Sequence, residues 1–144
     1  MIKIVSIIGS PRGSNSFGYK IINSLYDELK SLRSDIDIKD FILTDLNINR
    51  CSGCETCFKE CSSCVIKDDL QVIEESMHDA DLIIFHSPVY CHNVTGDMKN
   101  FIDRLAHHLH IFGFIGKVGI TVSTSSSNGN IFVDIYLSEI MNYY

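Results

Sequence analysis

Residues 2–8 read IKIVSII, nearly all apolar and mostly β-branched, without the polar–apolar alternation of a strand that has one wet face. A segment of this kind has to be buried on both sides, which a parallel sheet covered by helices on each face provides. It runs into Gly9, Ser10, Pro11, Arg12, Gly13, Ser14, Asn15 and Ser16, a dense set of turn formers. An amphipathic helix follows, with Phe17, Ile21, Ile22, Leu25, Tyr26, Leu29 and Leu32 at helical spacing. The pattern then repeats. Ile36 and Ile38 alternate with Asp37 and Lys39 before Phe41, which predicts a half-exposed edge strand. Residues 81–86 (DLIIFH) predict another central strand, broken at Pro88, and 118–122 predict a fourth. Between them, Asp68 and Asp69 stand where carboxylates favour a helix N-terminus, ahead of Leu70, Ile73 and Met77. Met98, Phe101, Ile102, Leu105 and Leu109 mark a third helix face, and 131–144 a final helix. Strands alternating with helices predict an α/β fold with a parallel sheet between two helical layers. With 144 residues and no repeat, linker or compositional break, the reading is a single domain over 1–144.

The charge balance of −6 and the absence of any basic stripe argue against nucleic acid as a partner. The apolar runs are far too short to span a bilayer, and residues 1–10 hold no signal peptide, so no membrane partner and a cytoplasmic chain with reduced thiols are expected. Against that background six cysteines are anomalous, because Cys51, Cys54, Cys57, Cys61 and Cys64 fall within fourteen residues. Such clustering points to metal or redox chemistry.

Ligands of parallel sheets sit beyond the carboxyl ends of the strands, and four unusual loops are expected there. The 10–16 loop leads from a strand into a helix start, where free amides and the helix dipole favour an anion. Arg12 would add a charged fork, and Ser10, Ser14, Asn15 and Ser16 neutral donors. It carries neither a Walker nor a dinucleotide fingerprint, and a plain capped turn is the alternative. Cys51-x2-Cys54-x2-Cys57 with a remote fourth cysteine has iron–sulfur spacing. Two zinc knuckles, 51/54 with 61/64, would also be possible, as would an empty or redox-disulfide loop. Pro88, Val89, Tyr90, Cys91, His92 and Asn93 follow a buried strand and could line a flat heterocycle, or simply cap the strand with Tyr90 in the core. Cys91 by itself is expected to be a small filler. His107, His108 and His110, with no matched carboxylate, are expected on the solvated surface.

Three stretches, GSPRGSNS at 9–16, CSGCETC at 51–57 leading to CVIKDDL at 64–70, and SPVYCHNVTGDMKNFIDRL at 87–105, resemble the flavodoxin-like NADPH-dependent FMN reductases, and among them the iron–sulfur flavoproteins. The resemblance runs in register along nearly the whole chain. It implies a flavodoxin-like three-layer sandwich and FMN, with the phosphate on Ser10, Arg12, Ser14, Asn15 and Ser16. The isoalloxazine would lie against 88–93, with Thr124 and Ser125 closing its other edge. It implies a [4Fe–4S] cluster on Cys51, Cys54, Cys57 and Cys64, the V-x-x-D-D run at 65–69 selecting Cys64 over Cys61, and zinc as the alternative occupant. It further implies an oxidoreductase relaying electrons from a donor such as NAD(P)H or a ferredoxin, with no side chain assigned as acid or base. The alternatives are an NAD(P)H-dependent flavin or quinone reductase without a cluster, or a non-enzymatic redox or metal-sensing module. Relatives continue into a fifth strand that is missing here. The final helix is apolar on nearly every side, so it should be buried, and a homodimer or homotetramer covering it and the fourth strand is expected.

Overall fold

A computed structural model describes residues 1–60 and 64–144, so Cys61 lies outside the described residues. In chain order the elements are β1 (Ile2–Ile8), α1 (Phe17–Leu32), β2 (Ile36–Ile42), the short α2 (Thr56–Lys59), α3 (Leu70–Asp79), β3 (Leu82–Pro88), α4 (Gly96–Arg104), the short α5 (His108–Ile111), β4 (Val118–Thr124) and α6 (Asn130–Tyr143). The four strands form one parallel sheet in the order β2-β1-β3-β4. β1 therefore lies inside, as its nearly all-apolar run requires, and β2 lies at an edge, as its alternation requires. No helix among the described residues is long and apolar enough to cross a membrane.

The pleat of β1 divides the core. Val5 and Ile7 join Phe85, Met98, Phe101, Ile73, Met77, Val133 and Leu137 on the side of α3, α4 and α6. Ile4 and Ile8 join Ile84, Ile22 and Tyr26 on the side of α1. That second face contains a polar seam. Ser6 and Tyr26 are bonded through their hydroxyls, and Tyr26 and Tyr19 each donate to one oxygen of Asp40, at 2.7 and 2.8 Å.

Within this chain α6 is covered on one stripe only. Val133, Leu137, Ile140 and Tyr144 are buried, whereas Ile131, Phe132, Ile135 and Tyr143 stand more than half exposed. One stripe reaches the sheet because only one side of a helix can face it.

The site end of the sheet is held by close approaches. His86, fully buried on β3, lies against Gly18 in the first turn of α1. A Cβ at residue 18 would fall 1.8 Å from His86 Nε2. Burial also holds the imidazole well below its ordinary value, at about 4, so it is neutral at pH 7. Replacing Gly18 by Ala is expected to cost about 1–3 kcal/mol through overpacking, read as a lower urea midpoint. The double variant with His86→Ala should recover part of the loss, and an unchanged midpoint for the single variant would contradict this packing.

Candidate functional site

Two cavities hang from the carboxyl ends of the strands. The first, of about 320 Å³, is lined by Ser10, Arg12, Ser16 and Phe17 after β1, by Pro88, Val89 and Tyr90 at the end of β3, and by Thr124, Ser125 and Ser126 at the end of β4. It lies at the point where the strand order reverses, between β1 and β3. Its base is built by hydroxyls. Ser10 Oγ accepts from the Arg12 amide, and Ser16 Oγ caps α1 by accepting from Tyr19 N–H at 3.2 Å. Ser10 and Ser16 are buried, whereas Arg12 is exposed and its side chain makes no hydrogen bond or ion pair among the described residues. A free guanidinium beside helix amides that the helix itself cannot use is a receptor for an anion. Ser14 and Asn15 lie on the same turn but outside the cavity lining.

Backbone links fix the other walls. Val89 N–H donates to Thr124 O at 2.8 Å, joining the loop after β3 to β4. Thr95 caps α4, donating from its hydroxyl to Gly9 O at 2.6 Å and accepting from Met98 N–H. Beyond Tyr90 the chain turns back on itself, with Tyr90 and Asn93 exchanging both backbone hydrogen bonds. The two residues between them, Cys91 and His92, have φ of 50° and 61°. Two successive non-glycine residues in the left-handed region make a strained type I′ turn. Cys91 is exposed there and is not the buried filler expected of a lone cysteine; a two-residue turn has no interior for it. Cys91, His92 and Asn93 all lie outside the cavity lining, and His92 instead sets its ring edge-on to Phe132 of α6.

The second cavity, of about 390 Å³, brings Cys51, Cys54, Cys57 and Cys64 together with Phe58, Asp103, Arg104 and Ala106. Left-handed residues at Gly53 and Glu55 fold the cysteine segment back on itself. Cys51 and Cys54 are exposed, Cys57 is half-buried and Cys64 is buried. The Thr56 hydroxyl bonded to its sulfur, helped by the Thr56 amide, lowers the Cys54 thiol to about 7, while burial raises that of Cys57. No three of the four thiol sulfurs lie within 4.8 Å of one another; among the described residues Glu74, His107 and His108 are the trio that does.

Arg104 anchors this loop. Its side chain is fully buried and paired with Asp68 at 2.7 Å. It also donates to Asn49 O at 2.6 Å and Ile66 O at 3.2 Å, and it reaches the Cys64 thiol. One guanidinium thus holds both ends of the 49–66 segment. Asp68 accepts from the Leu70 amide at the start of α3, as expected, and both carboxylates also make tertiary bonds: Asp68 to Arg104, and Asp69 to the Asn47 amide. Sequence reasoning missed Arg104. Its signal was an arginine three residues after Phe101 and directly before Leu105, at the edge of the helix's apolar stripe.

The histidine expectation is corrected in part. His110 is exposed, but His107 and His108 are buried against Glu74. The helical stripe does not continue through 98–109: α4 stops at Arg104, and the intervening turn rotates these rings inward.

This fold, with a switch-point cavity and a four-thiol loop beside it, places the chain among flavodoxin-like proteins. The sequence matches the family described as NADPH-dependent FMN reductase over residues 2–144, and the chain belongs to that family. An iron–sulfur flavoprotein of Archaeoglobus fulgidus is 35% identical over 118 residues, covering 82% of this chain and 52% of its own length. One from Methanocaldococcus jannaschii is 32% identical, covering 99% of this chain and 72% of its own. The chain spans about half the length of the two Archaeoglobus fulgidus relatives that match at 35% and 37% identity. Among solved structures, a NADH:FMN oxidoreductase in its apo form superposes with a TM-score of 0.68 at 22% identity, over 99% of this chain and 69% of that one. The NAD(P)H:(acceptor) oxidoreductase of Paracoccus denitrificans gives 0.66 at 16%, over 99% and 72%. These two likenesses establish the fold.

Burial raises the Asp68 carboxyl, but the bonds from Arg104 and from the Asn49 and Leu70 amides outweigh it and hold it at about 2. A carboxylate depressed in the folded state stabilises above its unfolded value near 4 and loses that contribution as pH falls towards 2. Asp68→Asn leaves Arg104 buried and unpaired, and is expected to cost about 3–5 kcal/mol at pH 7. The variant should also show a shallower loss of urea stability between about pH 5 and 2. Equal slopes in the two proteins would refute this role for the pair.

Proposed function

We propose that this chain binds FMN in the switch-point cavity, carries a [4Fe–4S] cluster on Cys51, Cys54, Cys57 and Cys64, and works as an oxidoreductase passing electrons between them. The observation that carries this reading is the pairing of a free-arginine anion receptor with a four-thiol cavity on loops from adjacent strands, β1 and β2. Family membership and relatives named iron–sulfur flavoproteins support it.

Ser10, Arg12 and Ser16 would hold the phosphate, with Ser14 and Asn15 shaping the turn that presents them. Pro88, Val89 and Tyr90 would lie along the ring system and Thr124 and Ser125 along its opposite edge. Cys91, His92 and Asn93 would set the loop that carries Tyr90. A single tetrahedral zinc, with Zn–S of about 2.3 Å, draws its sulfurs to within about 3.8 Å. The iron–sulfur reading of the four thiols rests on their spacing in the sequence and on the names of the relatives. Arg104 reaches the Cys64 thiol and would hold that sulfur in place for ligation. When bound, FMN supplies hydride and single-electron chemistry and the cluster single-electron transfer. The protein's own residues bind and orient, and no side chain is given a proton to move. NAD(P)H or a ferredoxin would serve as donor, in a reducing cytoplasm.

Arg12→Ala removes a charge-assisted contact of about 1.5–3 kcal/mol, so FMN should bind about one to two decades more weakly. Riboflavin, which has no phosphate, should be indifferent; equal losses for both would overturn the placement. For the cluster, Ser in place of Cys51, Cys54, Cys57 or Cys64 should strip or destabilise anaerobically bound iron and sulfide, while Cys61→Ser should retain them. Stoichiometric zinc without sulfide would reject it.

We also infer a homodimer or homotetramer. β4 pairs on one side only among the described residues, and Val118, Ile131, Phe132 and Ile135 are more than half exposed. Light scattering should show an oligomer that Ile135→Asp weakens. A native monomer at micromolar concentration would defeat the idea.

A further inference from the structure

Behind the cysteine cavity, α3 and the junction of α4 and α5 bring three metal-ligating side chains to one point. Glu74, His107 and His108 are all more than nine-tenths buried, and their ligand atoms lie within 4.8 Å of one another. His108 Nε2 stands 2.5 Å and His107 Nε2 3.5 Å from the same atom, Glu74 Oε1. Two imidazoles acting only as hydrogen-bond donors could use the two carboxylate oxygens separately. Here both nitrogens aim at a single point, with ring centroids 4.1 Å apart. The opposite nitrogens, Nδ1 of both rings, have no partner among the described residues. Phe114 packs on the His108 ring at 4.4 Å and fixes its orientation.

We propose that Glu74, His107 and His108 form a binding site for one divalent first-row cation, with zinc the best match. Two imidazole nitrogens and a carboxylate oxygen are a donor set that zinc takes. Ligand bonds of about 2.0–2.2 Å in a tetrahedron separate donors by roughly 3.4 Å; the His107–Glu74 distance is close to this, whereas the His108–Glu74 contact is a direct hydrogen bond that a cation would have to open. The Glu74 side chain is enclosed together with both imidazoles, and a buried acidic group calls for a paired cation or a metal. His78, exposed on α3 with its ring 5.3 Å from that of His108, marks the side from which a cation and a completing water would arrive. Nitrogen and oxygen donors set this site apart from the soft thiols.

The bound ion would clamp α3 to the α4–α5 junction. Arg104 and Ala106, which line the cysteine cavity, directly precede His107 and His108, so the ion would stiffen the back wall of that cavity.

Cobalt(II) titration of the full chain, stripped with a chelator, tests the site, because cobalt reports its ligands in its absorption. One equivalent should bind with ligand-field bands free of thiolate charge transfer and should raise the melting temperature. This component should survive Cys54→Ser and bind more weakly in Glu74→Gln and His107→Asn, by more than the roughly 10–100-fold that outer-shell partners alone cause. If Glu74→Gln fails to fold by circular dichroism, His107→Asn, the more distant partner, carries the test. Absence of this component, with a proton as the only counter-charge, would overturn the proposal. So would cobalt uptake abolished by Cys54→Ser and untouched by His107→Asn.

Discussion

The parallel pairing of β1 with both β2 and β3 is the constraint on which the rest of the structure depends. Seven residues of β1 align with β2 and five with β3, and both faces of the strand are sealed by side chains of the core. Because the strands run parallel, their carboxyl ends emerge together, and every loop that carries chemistry leaves from that end. Hydroxyls and an arginine follow β1, thiols follow β2, and a proline-stiffened segment follows β3. The strands themselves contribute little reactive chemistry. They supply a fixed frame against which short loops can be placed within hydrogen-bonding distance.

Two devices transmit that frame to the loops. On the β1 side, the Thr95 hydroxyl joins the start of α4 to the Gly9 carbonyl, and the buried His86 fills the space left by Gly18. On the β2 side, the frame reaches the cysteines through Arg104. A buried guanidinium with bonds to Asp68, Asn49 and Ile66 is satisfied on several sides, so moving it would strand several polar groups at once. The exposed cysteines therefore rest on a rigid base.

Much of this was legible in the sequence. The nearly all-apolar run of β1 and the alternation in β2 distinguished an inner from an edge strand, since a period of two appears only where one face is wet. Of the residues expected around the first cavity, Ser10, Arg12, Ser16, Pro88, Val89, Tyr90, Thr124 and Ser125 line it, and the four selected cysteines surround the second. What failed did so at breaks in periodicity. A helical stripe drawn through 98–109 turns His107 away from the core but leaves His108, seven residues after Phe101, on the stripe's flank; α4 stops at Arg104, and both rings are buried. Nor could spacing reveal that Cys91 and His92 occupy a left-handed turn, because that conformation is imposed by the closure between Tyr90 and Asn93. The apolar content of α6 said that something must cover it, but not which stripe the sheet takes.

Arg104 has a consequence for the order in which the molecule comes together. The helix that carries it needs only its neighbours in the core to form, whereas the 49–66 segment adds few apolar side chains to that core. Segments of this kind open and close as small cooperative units at lower free energy than the sheet beneath them. The cysteine loop is thus expected to be the last part of the chain to settle and the first to loosen, with a single side chain as its latch. Releasing the segment would then break the bonds of Arg104 to it while the sheet and its core stay folded.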